Sequence, residues 1–483
     1  MVQPITELRK IRLQKLAQIK KLGITPYPAR CRRTQTTAEA LKMMGNPPAG
    51  GVAVAGRIMA IRGHGGIQFL DLRDESGKIQ LVFKKEKLSV IGSKLLVLLD
   101  VGDFIDVSGE IFKTQAGEIS VLVSDFHLLT KSIRPLPAKW QGLQDPELIF
   151  RKRYLDLTMN PSRRELFKRK AKFWQLNRDF MKQKGFIEVE TPILEHRTGG
   201  ADARPFATHM NALDQDFYLR ISPELYLKRL IGGGFEKVYV FGPNFRNEGI
   251  SDEHLPEYYA IEWYWAYADY KDNMKMVKEM FLFIAEKLYE KTKFKIDDLE
   301  FDLGGEWQEI DYPVILKKKF GVDIFKSTTE EMLKIIKKEG VKLSGEINRP
   351  RLIDNLWKLI RKTIAGPAFL INEPKFMSPL AKSKPDDPRF TERFHVIAGG
   401  RELGNGYSEL NDPLDQLERF KEQQSAREAG DDEAQMLDTD FVEMLEYGMP
   451  PTSGYAHSER LFWTLEGVTS REGTLFPPLR PEK

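Results

Sequence analysis

The residues best placed to do chemistry lie in FGPNFRNEGISDEHLPEYYAIEWYWAYADYKD, Phe241 to Asp272. Apolar alternation before Gly242-Pro243, and again from Tyr258 to Tyr264, predicts two strands with a turn at the Gly-Pro pair and a polar loop holding Gly249, Ser251 and His254. Strand side chains repeat every second position, so Arg246 and Glu248 share one face while Tyr258, Glu262 and Tyr264 share another. Glu262 is set among Trp263, Tyr264 and Trp265, and an acid buried there is costly unless it meets a cation. The alternative is a solvated strand face with a structural ion pair. A second acidic cluster is GGRELGNGYSELND, Gly399 to Asp412. There Asn405, Tyr407 and Glu409 project to one side, and a bend at Gly404 would bring Glu402 to the same cleft. Carboxylates grouped this way serve Mg²⁺ or an ammonium group. A plain acidic turn at a strand end is the competing explanation.

Absent motifs narrow the chemistry. No Gly-x-x-x-x-Gly-Lys-Ser/Thr loop occurs, and Gly232-Gly233-Gly234 follows an expected helix, Glu224 to Ile231, as its C-terminal stop. No nucleophile elbow is present. The single cysteine, Cys31, excludes an intramolecular disulfide framework and a Cys-based zinc site, and the seven histidines show no metal-binding helix spacing. What remains is arginines and carboxylates, which suits phosphate chemistry done by positioning and charge neutralisation without a covalent enzyme intermediate.

The elements that must position these groups divide the chain in an α+β pattern. At 483 residues it exceeds one compact core. Residues 1–50 form a basic helix and arm, with nine Lys or Arg against one acid in residues 1–33, a charge balance that favours polyanions or else marks a solvated basic face. Residues 51–134 carry five short β-like runs separated by turn signals, the pattern of a small closed barrel of the oligonucleotide/oligosaccharide-binding (OB) type. Pro135 and Pro137 open a linker, 135–150, and 151–483 alternate helices and strands, with a lysine-rich helical insertion at about 300–385. No run approaches the roughly 18 consecutive apolar residues of a membrane span, and the polar start lacks a signal-peptide core, so the expected setting is a reducing cytoplasm.

Four segments in order carry a resemblance to a known family. GFIEVETP, Gly185 to Pro192, resembles motif 1 of the class II aminoacyl-tRNA synthetases, and FRNEG, Phe245 to Gly249, with the strand through Tyr264, resembles motif 2. ISPELYLKRL, Ile221 to Leu230, and GNGYSELND resemble the lysine-specific, bacterial lysyl-tRNA synthetase branch (class IIb), over nearly the whole chain. The resemblance implies an OB-fold anticodon-binding domain ahead of a catalytic domain on a mixed, mainly antiparallel sheet flanked by helices. It implies lysine activation by ATP, release of pyrophosphate, and transfer to tRNA(Lys), with Mg²⁺ as cofactor and a homodimer joined through motif 1. Carried over residue by residue, Arg246 would hold the α-phosphate and the substrate carboxylate. Glu248 and His254 lie near the nucleotide, Tyr258 lies against adenine, and Arg460 covers adenine and the terminal phosphate; Arg246, Glu248 and Arg460 are thus the catalytic set. Gly200 and Glu224 match the α-amino end of lysine, while Glu262, Tyr264, Asn405, Tyr407 and Glu409 match its far end. Glu402 matches a magnesium-binding acid, and Glu409 and His395 complete the candidate metal set.

Lysine brings two ammonium groups, so its pocket needs at least two buried acids. Phe69 lies where the family stacks an anticodon base, with Arg62, Gln80 and Glu118 beside it; barrel core is the alternative for Phe69. Two stretches depart from the family pattern. Gly454-Tyr455-Ala456-His457-Ser458-Glu459-Arg460 lacks the later glycines of motif 3 and is one residue shorter, and His395 stands where the family has a magnesium-binding glutamate. Imidazole is a poor Mg²⁺ ligand beside carboxylate. Competing readings are an aspartate or asparagine ligase of the same class, and a catalytically silent tRNA-binding paralogue.

Overall fold

Period-two alternation of Val, Ile and Leu builds the first unit. In the computed structural model, which describes residues 4–64, 66–137, 145–341 and 347–481, the chain separates into units of residues 1–144 and 145–483. Strands β1 (Val52–His64), β2 (Ile67–Arg73), β3 (Lys78–Lys84), β4 (Phe104–Lys113) and β5 (Ile119–Thr130) close a barrel in the order β1-β2-β3-β5-β4. Val54, Ile58, Leu70, Leu72, Leu81, Phe83, Val107, Val121 and Val123 fill it, and each is buried. Closure requires close backbone approach at Gly109, where a β-carbon would stand 2.2 Å from the Leu122 carbonyl oxygen. The N-terminal helix Ile5–Lys21 is tied to this unit by Arg12, whose guanidinium donates to the Val101 carbonyl at 2.9 Å, and by the Lys15–Asp100 pair at 2.6 Å. The linker expected at 135–150 falls partly on residues 138–144, outside the described residues, and the helix Pro146–Arg151 begins within its range.

The second unit is organised on one sheet. Its strands are β6 (Ile187–Glu188), β7 (Leu194–Glu195), β8 (Phe206–Met210), β9 (Gln215–Leu219), β10 (Lys237–Phe245), β11 (Glu257–Ala266), β12 (Lys293–Ile296), β13 (Leu299–Asp302), β14 (Gln308–Asp311), β15 (Ala368–Ile371), β16 (Arg393–Ala398), β17 (Arg401–Ser408) and β18 (Thr452–Ser458). Eight of them form a sheet in the order β14-β15-β16-β17-β18-β11-β10-β6, antiparallel except for the two outermost pairs. Alternation then sorts the two faces. Trp263 and Tyr455 point into an aromatic core with Phe173 and Trp174 of the helix Pro161–Gln183 and Phe281 of the helix Tyr270–Tyr289. Tyr264 and Tyr407 point the other way, against Leu225 and Leu227 of the helix Glu224–Gly232, Phe420, and Phe441 of the helix Thr439–Tyr447. Residues 262 and 264 therefore lie on the face opposite the large aromatic core.

Three sequence expectations change here. Gly242-Pro243 makes no turn: β10 runs through it, paired to β11, because a side chain at 242 would meet Arg220 at 2.5 Å and the Pro243 carbonyl accepts from Arg220 Nε at 3.0 Å. Arg246 and Glu248 consequently lie beyond β10, in the loop that follows it, where the Glu248 N–H donates to the Arg246 carbonyl at 2.8 Å. The segment 300–385 is only partly helical. Its helices Tyr312–Phe320, Thr329–Lys338 and Arg349–Arg361 share a core with β15 and β16 through Ala368, Leu370 and Ile397, and β14 and β15 extend the main sheet. Among the described residues no helix is long and apolar enough to cross a membrane.

Candidate active site

Glu224 begins a helix, Glu262 lies in mid-β11 and Glu409 follows β17, so three acids far apart in sequence arrive on one face of the sheet. All three are buried. Their contacts close a ring. Gly200, at φ +84°, lies so near Glu224 and Ser222 that a β-carbon there would stand 2.7 Å from Glu224 Cβ. The Ser222 hydroxyl donates to Glu262 at 3.1 Å, and the Tyr264 hydroxyl donates to Glu262 at 2.9 Å. A β-carbon at Gly454 would meet both Tyr264 and Glu409 Oε1 at 2.5 Å. Glu409 pairs with the Lys228 ammonium, which also donates to Glu224 Oε1 at 2.6 Å, and the Tyr407 hydroxyl donates to that same oxygen at 2.6 Å.

Burial sets the electrostatics. It pushes the Glu262 carboxyl up to about 7, reinforced by the charge of Glu224. Glu409 is also raised well above the ordinary range by burial, against the pull of Lys228. Lys228 shows the opposite balance: burial works against its charge, but Glu224 and Glu409 outweigh it and raise its pKa. Within the ring Lys228 is the cation in contact with two of the three acids, while Arg246 and Arg220 act on Glu262 from beside it, so the ring carries more acid than base when its carboxyls are ionised.

Beside this ring, Arg246 stands with its guanidinium carbon 5.6 Å from the Tyr258 ring centroid. Its Nε is buried and has no hydrogen-bond partner among the described residues, an open donor suited to a phosphate or carboxylate oxygen. His254 bonds Ser251 Oγ through Nδ1 at 2.9 Å, and Glu248 is exposed. Arg460 donates to the Glu253 carbonyl at 3.2 Å and to the Glu402 carbonyl at 2.8 Å, while Arg361 pairs with the Glu253 carboxylate at 3.2 Å. In β18, Gly454 and Ala456 lie opposite Tyr407 and Asn405, and Tyr455 and His457 turn into the aromatic core, where His457 Nε2 meets Asn177 Oδ1 at 2.9 Å.

Glu402 reaches the same face by a route the sequence did not disclose. The register between β16 and β17 shifts so that Val396 pairs with Gly404 and Ile397 with Glu402, leaving Leu403 extra. This bulge, rather than a bend at Gly404, turns Glu402 towards His395, whose Nδ1 lies 3.2 Å away. The other ring nitrogen of His395 meets Glu373 at 2.5 Å. Arg393 pairs with Glu373 at 3.2 Å and donates to Asn405 Oδ1 at 3.2 Å, so Asn405 is held from behind.

The candidate metal set is corrected accordingly. Glu409 lies seven residues beyond Glu402, about 20 Å along an extended strand, and is engaged by Lys228, so the two do not share an ion. His395 is pushed up to about 9 because Glu373 and Glu402 overcome its burial, and an imidazolium with both nitrogens facing carboxylates offers no lone pair to a metal. Among the described residues no group of three or more His, Cys, Asp or Glu could hold a metal. Glu402 alone fits. Burial would raise it, but His395, Arg361 and Arg460 hold it well below the usual carboxylate range. One ionised carboxylate suits Mg²⁺ delivered with nucleotide phosphates, which complete its oxygen shell.

On the barrel, Arg62, Phe69, Gln80 and Glu118 fall on its outer side. Arg62 pairs across with Phe69, and Phe69 with Val82, while their neighbours Leu70 and Leu81 are fully buried. Phe69 is half-buried and outside the barrel core, which removes that alternative. Arg62 donates to Asp71 at 2.6 Å and Gln80 at 3.2 Å, and the Gln80 amide donates to Ser120 at 2.9 Å. Glu118, two residues before Ser120, is exposed on the same side.

Sequence reasoning missed Lys228, Ser222, Arg393, Glu373, Arg361 and Asp71. Only Lys228 left a readable signal, its i,i+4 spacing from Glu224 on one helix face.

Barrel, sheet and the ring of buried acids together define a class. The chain belongs to the class II tRNA synthetases: the model described as tRNA synthetases class II (D, K and N) matches residues 145–480, and that of the OB-fold nucleic acid binding domain matches residues 52–129. Within that class, the lysine–tRNA ligase of Thermosipho africanus is 44% identical over 489 residues, covering 99% of this chain and 97% of the relative. The lysine–tRNA ligase of Thermotoga maritima is likewise 44% identical, with 99% and 97% covered, and that of Carboxydothermus hydrogenoformans 44%, with 99% of each.

Proposed function

We propose that the chain is a lysine–tRNA ligase, activating L-lysine with ATP and passing the lysyl group to the 3′ end of tRNA(Lys). The observation that carries this is the ring of buried acids, Glu224, Glu262 and Glu409, with Lys228 clamped between two of them, beside the open Nε of Arg246. Lysine supplies two ammonium groups for the acids and one carboxylate for the arginine. Aspartate would bring a second carboxylate to an already negative pocket.

In this reading Gly200 and Glu224 receive the α-amino end, while Glu262, Tyr264, Tyr407, Asn405 and Glu409 surround the far end, with Tyr264 and Ser222 both donating to Glu262. Arg246 draws the lysine carboxylate and the α-phosphate together, and Tyr258 and Arg460 flank adenine, with Glu248 and His254 at the loop edge. A carboxylate oxygen attacks the α-phosphorus as the bond to the bridging oxygen breaks and pyrophosphate departs. Mg²⁺, held by Glu402 with the ATP phosphates, would supply further neutralisation of their charge. The outer barrel side around Phe69, Arg62, Gln80 and Glu118 would take the anticodon. A homodimer through β6 and the residues after it fits their exposed Ile187, Ile193 and Leu194, and the cytoplasm is the expected setting.

Lysine-dependent ATP–pyrophosphate exchange by the purified chain tests the proposal. Exchange with lysine in preference to the other amino acids supports it. Exchange only with aspartate or asparagine, or tRNA binding with no exchange at all, rejects it.

A further inference from the structure

Lys228 is a buried charge in the hollow with no part in the reaction as derived above. Its side chain is fully buried, its ammonium bridges Glu224 and Glu409, and the ring centroids of Tyr407, Tyr264 and Phe441 enclose it at 5.5, 5.9 and 5.9 Å. An ammonium in that position is bound by carboxylates and aromatic faces together, which is how a cation is held when water is excluded.

Without it, Glu409 would lose the cation that opposes its burial, and its carboxyl would be pushed up further still. Protonated acids bind an ammonium poorly. A purely structural pair would engage one partner away from the ligand, whereas Lys228 engages two acids of the ring itself. Its helix, Glu224–Gly232, also places its base one turn from Glu224, so the clamp and one of the acids it clamps move as one body.

We infer that Lys228 is a positioning and specificity residue: a built-in ammonium that clamps Glu224 and Glu409, fixes where their carboxyls stand, and leaves an excess of acids that a dicationic amino acid matches. The inference rests on the lysine-activating reading, and the experiment separates the two. ATP–pyrophosphate exchange is measured for the full-length wild type, Lys228→Met, Glu409→Gln and the double variant, with KM determined for lysine and for ATP and folding checked by thermal melting. Wild-type exchange with lysine tests the reading itself. Given that, Lys228→Met is expected to raise KM for lysine about 100-fold while KM for ATP stays within about threefold, as befits loss of one member of a buried ion pair. Adding Glu409→Gln, which removes a charge of the opposite sign, is expected to recover about tenfold of that loss, the signature of coupling rather than packing.

A lysine KM within about threefold of wild type in Lys228→Met overturns the inference. So does equal loss for lysine and ATP without recovery in the double variant. Should Lys228→Met fail to fold, the comparison rests on the double variant against Glu409→Gln: a further loss of lysine affinity smaller than about threefold supports the clamp. A larger loss, or a double variant that also fails to fold, rejects it.

Discussion

Arg62 on the barrel and Lys228 in the hollow each hold a carboxylate at 2.6 Å, yet they do opposite things. The Arg62 side chain is 53% exposed, and Asp71, itself buried, is also met by Lys78 at 3.2 Å, so water and a second cation can stand in for Arg62 and its contribution is about 0–1 kcal/mol. Arg62 can exchange Asp71 for the edge of a base at little cost. Lys228 is 0% exposed and cannot leave its acids without stranding them. An exposed arginine keeps a recognition surface adaptable, whereas a fully buried ammonium fixes the charge that a small ligand must match.

Substitutions on the two surfaces separate these behaviours. Arg246→Ala attacks the buried side most severely, and a loss of about 1,000-fold in pyrophosphate exchange with an unchanged melting curve is expected, since an aimed donor at the reacting phosphate is removed. Unchanged exchange would sink the role given to this arginine. Glu262→Gln should raise KM for lysine about 100-fold, and it sharpens the pH argument. With a folded pKa raised to about 7, Glu262 must shed its proton to hold an ammonium, so lysine affinity is expected to rise as pH climbs towards 7 and then level off. The sign for stability is the reverse. A carboxyl raised on folding binds its proton more tightly in the native state, so the ligand-free protein loses stability between about pH 4.5 and 7, roughly 3 kcal/mol from this group. Melts at pH 5 and 7.5, wild type against Glu262→Gln, check this, and an equal fall in both would reject it.

Smaller effects belong to the exposed side. Phe69→Ala should weaken tRNA charging about tenfold, the worth of one stacked base, with pyrophosphate exchange unaffected. Equal loss of both activities would contradict the separation of the two surfaces. Smallest of all, Arg62→Ala is expected to shift the barrel's stability by less than about 1 kcal/mol, measured by denaturant unfolding. A larger loss would mean that the exposed arginine is as fixed as the buried lysine.

Much of this architecture was legible in the residues because local periodicity carries it. The five barrel strands, the helix starting at Glu224 with its glycine stop, and the common face of Tyr258, Glu262 and Tyr264 all follow from spacing alone. The Gly242-Pro243 pair misled, because local turn chemistry was overridden by Arg220, which arrives from another strand's end to occupy the space beside the glycine. Glu402 misled for a related reason: one extra residue at Leu403 reverses the face of everything before it, and a bulge leaves no composition signal.

Composition and alternation thus determined which residue types line the hollow and on which elements they ride, since propensity and period act over a few residues. Only the folded chain decided which acids receive a cation from within and which remain for a ligand. That choice depends on side chains separated by as many as 181 positions, Lys228 and Glu409, meeting where water is excluded, and on Glu373 reaching His395 across the sheet to turn an expected metal ligand into a fixed positive charge. Coulomb energy in a dry interior is set by distance and solvent, and neither is written in local sequence.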